Sequence, residues 1–268
     1  MRPVALVTGG SKGIGRAIAL ELARAHHDVA IVYRSDREAA MAVGQAIEAQ
    51  GVSAQLIQHD VTCPDAVEAT VQAVVRQFDR LDVLVNNVGE FFFKPLAQMS
   101  DAEWQHVIHS NLSSVFYACR RVIPIMRRQR KGNIVNIGLS PNYAVRGAAN
   151  VCAYSIAKTG VLILSRSLAS EEAAHGIRVN CVSPGLIDNG FLPQAQREWM
   201  QQRVPTGRLG RPEDIAQAVQ FLVSDKAAYV SGANLAVSGA WDWEDRPSDH
   251  DGHVHDLFVA GAADASDE

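Results

Sequence analysis

The sequence predicts an α/β fold, a single domain on a doubly wound, seven-stranded parallel sheet with helices on both faces. Three observations carry that prediction. Seven short, β-branched apolar runs alternate with longer helical patterns. The intervening helices imply parallel pairing and cover on both faces, and right-handed crossovers wind such a sheet doubly. Chemically unusual residues also fall just after strands, at the carboxyl edge where such sheets bind ligands. Gly9, Asp60, Asn87 and Ser140 each follow a strand, and Pro184-Gly185 closes the sixth.

Taken in order, VALVT (Val4–Thr8) is the first strand and leads to a helix over about Gly13–His26. VAIVY (Val29–Tyr33) is followed by an Ala-rich helix near Glu38–Gln50, with Asp36 as its cap. SAQLIQHD (Ser53–Asp60) precedes a helix that starts after Pro64. LDVLVNN (Leu81–Asn87) comes before a helix from about Ser100, where SDAE has capping-box form. IVNI (Ile134–Ile137), IRVNCVSPG (Ile177–Gly185) and ANLAVSG (Ala233–Gly239) complete the strands.

Composition narrows the function classes. A length of 268 residues suits one large domain, and no repeat or low-complexity linker divides it. The net charge of −4 gives no electrostatic case for nucleic acid or an anionic membrane. No apolar stretch approaches the roughly 18 residues of a spanning helix. MRPVALVTGG runs straight into a strand without a leader pattern. Cys63, Cys119, Cys152 and Cys181 are scattered and form no Cys-x-x-Cys pair, as expected of reduced thiols in a cytoplasmic protein.

The chemistry-bearing residues begin at the first turn, TGGSKGIG (Thr8–Gly15). Glycines at 9, 13 and 15 let backbone approach a phosphate closely, and the helix that follows aims its free N–H groups and dipole at it. The second strand ends in Tyr33-Arg34-Ser35, with Lys12 nearby in the glycine turn. A carboxylate at that point suits a ribose 2′-hydroxyl, whereas an arginine suits a 2′-phosphate, so NADP(H) is favoured over NAD. Tyr154 and Lys158 are four residues apart in AYSIAKTGV, on one face of a helical turn. A cation beside a phenol favours the phenolate, so Lys158 is expected to draw the pKa of Tyr154 down from about 10.

With these motifs in view, the chain resembles the short-chain dehydrogenase/reductase family, and its 3-oxoacyl-carrier-protein reductase branch most. TGGSKGIG, Asp60-Val61, Asn86-Asn87-Val88-Gly89, Asn111 in HSNLSSVF, Tyr154-x-x-x-Lys158 and Pro184-Gly185 occur in the family's order and approximate spacing. RVPTGRLGRPEDIAQAVQFLVSD and YVSGANLAVSG look like its closing stretch, so the likeness covers about residues 3–240. The resemblance implies a Rossmann-type fold with the cofactor over the carboxyl edge. Gly9, Ser11, Lys12, Gly13, Ile14 and Gly15 would hold its phosphates, and Arg34 and Ser35 its 2′-phosphate. Asp60 and Val61 would lie near the adenine, Asn87, Val88 and Gly89 near the ribose, and Pro184, Gly185 and Ile187 near the nicotinamide. Tyr154 would be the acid/base, Lys158 would assist it and hold the nicotinamide ribose, and Asn111 would hold a water linking Lys158 to solvent. A serine should bond the substrate oxygen. Relatives are commonly tetramers that pair long helices, so a homotetramer is expected.

The chain also departs from the family pattern. Pro141 occupies the usual spacing of the serine before Tyr154, and Leu139 sits where a direct strand alignment could put it. Ser140 is favoured, with Asn142 or Tyr143 as alternatives. A threonine common after Pro-Gly is missing from LIDNG, where Asp188, Asn189 or backbone groups would substitute. Phe91-Phe92-Phe93 either walls an apolar pocket or packs its loop. Residues 187–205, with Trp199 and Met200, fall where the family has its substrate lid. The tail, 241–268, extends beyond the likeness, with Trp241 and Trp243 as anchors. Its His250, His253 and His255 lack a framework to fix metal geometry, so no metal is expected. The reading is an NADP(H)-dependent enzyme reducing a 3-oxoacyl thioester, free or carrier-bound, or a comparable small-molecule ketone. Oxidation of a sugar, polyol or other secondary alcohol is the alternative within enzymes, and a non-catalytic NADP-binding regulator the alternative outside them.

Overall fold

A computed structural model of the chain describes residues 1–140, 147–190 and 192–241. Its strands are β1 (Val4–Thr8), β2 (Asp28–Tyr33), β3 (Ala54–Gln58), β4 (Val83–Asn86), β5 (Gly132–Ile137), β6 (Ile177–Pro184) and β7 (Asn234–Val237). They form one sheet in the order β3-β2-β1-β4-β5-β6-β7, every pairing parallel. The expected fold class is therefore borne out. The chain winds outward from β1 to β3, then returns to place β4 on the other side of β1, so the strand order reverses between β1 and β4. That reversal opens a crevice at the carboxyl ends of both strands.

Eight α-helices occur among the described residues: α1 (Gly13–Arg24), α2 (Arg37–Glu48), α3 (Pro64–Phe78), α4 (Asp101–Ile108), α5 (Ser114–Gln129), α6 (Cys152–Glu172), α7 (Gln194–Gln201) and α8 (Pro212–Val223). Successive strand residues point to opposite faces, and this divides the core in two. Val4, Leu6, Ala30, Val32, Leu84 and Ile134 pack with Val71 of α3, Val122 of α5 and Val161 of α6. Ala5, Val7, Val29, Ile31, Val83 and Val135 pack with Ile18 and Leu22 of α1, Ile47 of α2 and Ile215 and Val219 of α8. Every strand residue from Val4 to Thr8 is buried, as a strand covered on both sides must be.

Local signals set most boundaries. Asp36 caps α2 by accepting from Ala39 N, and Ser100 with Glu103 closes a capping box on α4. The first helix stops at Arg24, before the expected His26, because His26 takes a left-handed φ of +61°. The helix expected from Ser100 is interrupted between α4 and α5 by a π-helical turn, His109–Ser113. No helix among the described residues is long and apolar enough to cross a membrane.

Candidate active site

The crevice at the β1/β4 reversal is a cleft of about 230 Å³. Gly9, Ser11, Lys12, Arg34, Ser35, Asp60, Val61 and Val88, all expected from the sequence, line it. Gly13 enters α1 at φ +51°, where a side chain would be strained. The helix has no side-chain cap and no acidic residue in its first turn, so its N–H groups and positive dipole end are left for a ligand. A Cβ at Gly15 would collide with Gly9 O, so the turn packs directly beneath the helix. Ile14 joins the α1-side core rather than the cleft. Asp60 accepts from both Thr62 N and Thr62 Oγ1 at 2.8 Å and so shapes its own turn. Asn87 Nδ2 donates to Thr8 O (3.1 Å) and Gly9 O (3.3 Å), tying the end of β4 to the glycine turn. These features suit a dinucleotide: open backbone donors at the helix start, cations on the bank, and no Cβ at positions 9, 10, 13 and 15 of the turn.

Both proposed 2′-phosphate cations carry partners here. Lys12 Nζ lies 2.7 Å from Asp36 Oδ2, and Arg34 Nη1 lies 3.1 Å from Glu90 Oε1. Sequence reasoning missed Glu90, His59, Thr62 and Ser110 in the cleft lining. Glu90 was detectable, since it directly follows Asn86-Asn87-Val88-Gly89 at the carboxyl edge.

Further along the same edge stand the proposed catalytic groups. Tyr154 and Lys158 share the first two turns of α6. Lys158 is 3% exposed; its Nζ donates to Ile137 O at 2.9 Å and sits 5.7 Å from the centre of the Tyr154 ring. Burial lowers the Lys158 ammonium to about 8 and pushes the Tyr154 phenol up to about 12. The expected depression of the tyrosine is therefore absent in the free protein. Loss of hydration governs both groups, and the ammonium is turned to the Ile137 carbonyl. Phe91 packs edge-on against the Tyr154 ring, with centroids 5.2 Å apart and planes at 79°, so the first residue of the aromatic run borders the phenol.

Asn111 lies in the π-helical turn, fully buried. Its Nδ2 donates to Glu90 O (2.9 Å) and Val107 O (3.1 Å), while its Oδ1 has no partner among the described residues. A Cβ at Gly89 would collide with Asn111 Oδ1 and lie 2.9 Å from Lys158 Nζ, so only glycine leaves the space between them open. Ser140 follows β5 and is fully buried, with its N–H donating to Pro184 O (3.1 Å) and its Oγ unpartnered among the described residues. Buried hydroxyls without partners are uncommon and point to a missing ligand group. The alternatives Asn142 and Tyr143 lie outside the described residues.

Pro184 ends β6, and Gly185 N donates to Val237 O (3.0 Å). Ile187 bridges to Gly210 and packs on the α1-side core. Asp188 accepts from Gly190 N and stands 2.9 Å from Arg197 Nε, an ion pair joining this loop to α7. Beneath α7, Met200, Val204, Leu209 and Trp241 form a small apolar cluster with Leu186, Leu192 and Trp199. Trp241 is thus an anchor; Trp243 and the three tail histidines lie outside the described residues. No group of three or more metal-ligating residues is found among the described residues.

Comparison with known proteins agrees with this geometry. A family model described as enoyl-(acyl carrier protein) reductase matches residues 9–241. The 3-oxoacyl-[acyl-carrier-protein] reductase FabG of Staphylococcus aureus strain Mu50 is 43% identical over 242 residues, 89% of this chain and 98% of the relative. The chain belongs to the short-chain dehydrogenase/reductase family. As a short-chain dehydrogenase/reductase it is an oxidoreductase, similar to 3-oxoacyl-carrier-protein reductases, and membership implies a nicotinamide cofactor. FabG of Escherichia coli strain K12 is 40% identical over 88% of this chain and 96% of its own. A candidate short-chain alcohol dehydrogenase from Sinorhizobium meliloti 1021 superposes with a TM-score of 0.83 at 33% identity, covering 88% of this chain and 95% of that one. The family model and the relatives differ in the acyl group they name, an enoyl against a 3-oxoacyl chain. Both contain an acyl-carrier substrate in their descriptions.

Proposed function

We propose that this protein reduces a ketone, a 3-oxoacyl thioester or a similar carbonyl, to a secondary alcohol with NADPH. The observation that carries the proposal is the set of four side chains at one sheet edge: a protonated Tyr154, a buried Lys158 ammonium, and two buried oxygens, Ser140 Oγ and Asn111 Oδ1, without partners among the described residues. NADPH, when bound, would supply the hydride for the carbonyl carbon. Tyr154 gives its phenolic proton to the carbonyl oxygen as charge develops there, and a phenol held near 12 is fully protonated for that task at neutral pH. Ser140 Oγ donates to the same oxygen and orients it. Lys158 has three N–H donors and commits one to Ile137 O, leaving two for the cofactor ribose and the phenol side. An ammonium there stabilises the phenolate left behind. Asn111 Oδ1 receives a water bonded to Lys158 and so opens a path for the returning proton.

For the cofactor, Gly9, Ser11, Gly13, Ile14 and Gly15 hold the pyrophosphate with backbone at the start of α1. Lys12, Arg34 and Ser35 hold the 2′-phosphate. Asp60 and Val61 border the adenine, and Asn87, Val88 and Gly89 the adjoining ribose. Pro184, Gly185 and Ile187 border the nicotinamide. The stretch 187–205, centred on α7, is the substrate lid of a catalytic domain spanning 1–240. A cytoplasmic homotetramer acting on a small molecule or carrier-bound thioester completes the proposal. Oxidation of a secondary alcohol by the same groups is the second reading, supported by the Sinorhizobium meliloti neighbour's description.

Loss of NADPH absorbance with a panel of carbonyls tests the proposal. A 3-oxoacyl thioester is expected to be turned over, with NADPH preferred to NADH. Turnover confined to NADP⁺ with sugars or polyols would decide for the second reading, and inertness toward every carbonyl and alcohol would refute both.

A further inference from the structure

One carboxylate spans the dinucleotide cleft. Because β2 and β4 flank β1, residues following them stand on opposite banks of the glycine turn. Arg34 follows β2, Glu90 follows β4, and both line the cleft together with Gly9. Their ion pair, 3.1 Å from Arg34 Nη1 to Glu90 Oε1, crosses the opening. Glu90 is held from two further directions. Its Oε2 lies 2.6 Å from His106 Nε2 of α4, and its carbonyl accepts from Asn111 Nδ2 at 2.9 Å.

We infer that Glu90 is a tethered anion that occupies Arg34 until the 2′-phosphate of NADP(H) displaces it, making Glu90 a residue that sets cofactor affinity and selectivity. The inference rests on the cofactor reading above. Arg34 and Glu90 side chains are 63% and 42% exposed, so both can turn without unfolding anything. A phosphate carries more negative charge than one carboxylate and offers bidentate geometry to a guanidinium, so the exchange runs toward the cofactor. The cleft's other carboxylate pair differs. Asp36 holds Lys12 but also caps α2 through Ala39 N, so its carboxylate is committed to the fold. The Glu90 carboxylate has no such backbone duty. A dinucleotide lacking the 2′-phosphate has no anion to present to Arg34, so releasing Glu90 changes its binding little.

Equilibrium titration by cofactor fluorescence tests this without turnover. Exposed ion pairs are weak, so Glu90→Gln is expected to tighten NADPH about two- to fivefold and leave NADH nearly unchanged. Glu90→Asp, too short to span the cleft, should do the same, and 2′,5′-ADP should gain where 5′-AMP does not. In an Arg34→Ala background Glu90→Gln should have no effect. Weaker or unaltered NADPH binding in Glu90→Gln overturns the inference, as does equal tightening of NADH or an effect that survives loss of Arg34. Binding of neither dinucleotide by the wild type would instead overturn the cofactor reading and this inference with it.

Discussion

Lys158 shows how a site residue is held against its own preference. An ammonium normally titrating at 10.5 is lowered to about 8 because burial strips its water, and a single carbonyl, Ile137 O, accepts from it among the described residues. Below pH 8 the folded protein bears the full cost of that buried charge. The cost fades between pH 8 and 10.5, where the folded state holds neutral lysine and the unfolded chain a charged one. Lys158→Met is therefore expected to stabilise the ligand-free protein at neutral pH by on the order of 1–3 kcal/mol, while removing activity. The gain should shrink as pH rises from 8 to 10.5. Denaturant melts across that range check it, and a destabilised or pH-independent variant would contradict it. The four-residue spacing of Tyr154 and Lys158 was legible in the sequence. Their surroundings were not, because the Ile137 carbonyl and the Phe91 ring reach them from β5 and the loop after β4.

At the scale of elements, the helix carrying the pair is fixed by polar contacts that its apolar pattern hides. Asn86 Nδ2 donates to Asn136 Oδ1, and Asn136 Nδ2 to Ser165 Oγ, both at 2.8 Å, which joins β4 and β5 to α6 through the buried face. Arg127 of α5 grips Glu172 at the far end of α6 with two bonds of 2.8 and 2.6 Å. Asn111 reaches its place through the π-helical turn, a local widening of the helix often found at functional sites and invisible to periodicity. The capping box on α4 and the cap on α2 were readable, because side chain and spacing alone specify them. Phe116 of α5 and Ile156 and Ile163 of α6 are exposed at 43%, 48% and 61%, leaving apolar side chains outward on the two long helices. The proposed tetramer covers them. Ile163→Glu should lower the mass measured by light scattering below that of four chains. A wild-type monomer, or an unaltered tetramer in the variant, would oppose helix pairing through this face.

Across the whole molecule, the sheet order does what no single motif does. Reversal between β1 and β4 gathers the glycine turn, Arg34, Asp60 and Val88 from widely separated positions into one cleft, and β5 and α6 carry Ser140, Tyr154 and Lys158 along the same edge. Seven apolar runs separated by helical stretches were enough to foresee that edge. Glu90 was not foreseen as a partner of Arg34, since the pairing depends on which strands become neighbours. The catalytic assignment of Tyr154 stands at the centre of the account. Its most direct measurement compares Tyr154→Phe with wild type for both NADPH affinity and ketone turnover. The account predicts turnover down by about 10²–10⁴ with NADPH binding kept within about threefold, since the lost group is a proton donor. Turnover near the wild-type rate in that variant would contradict it.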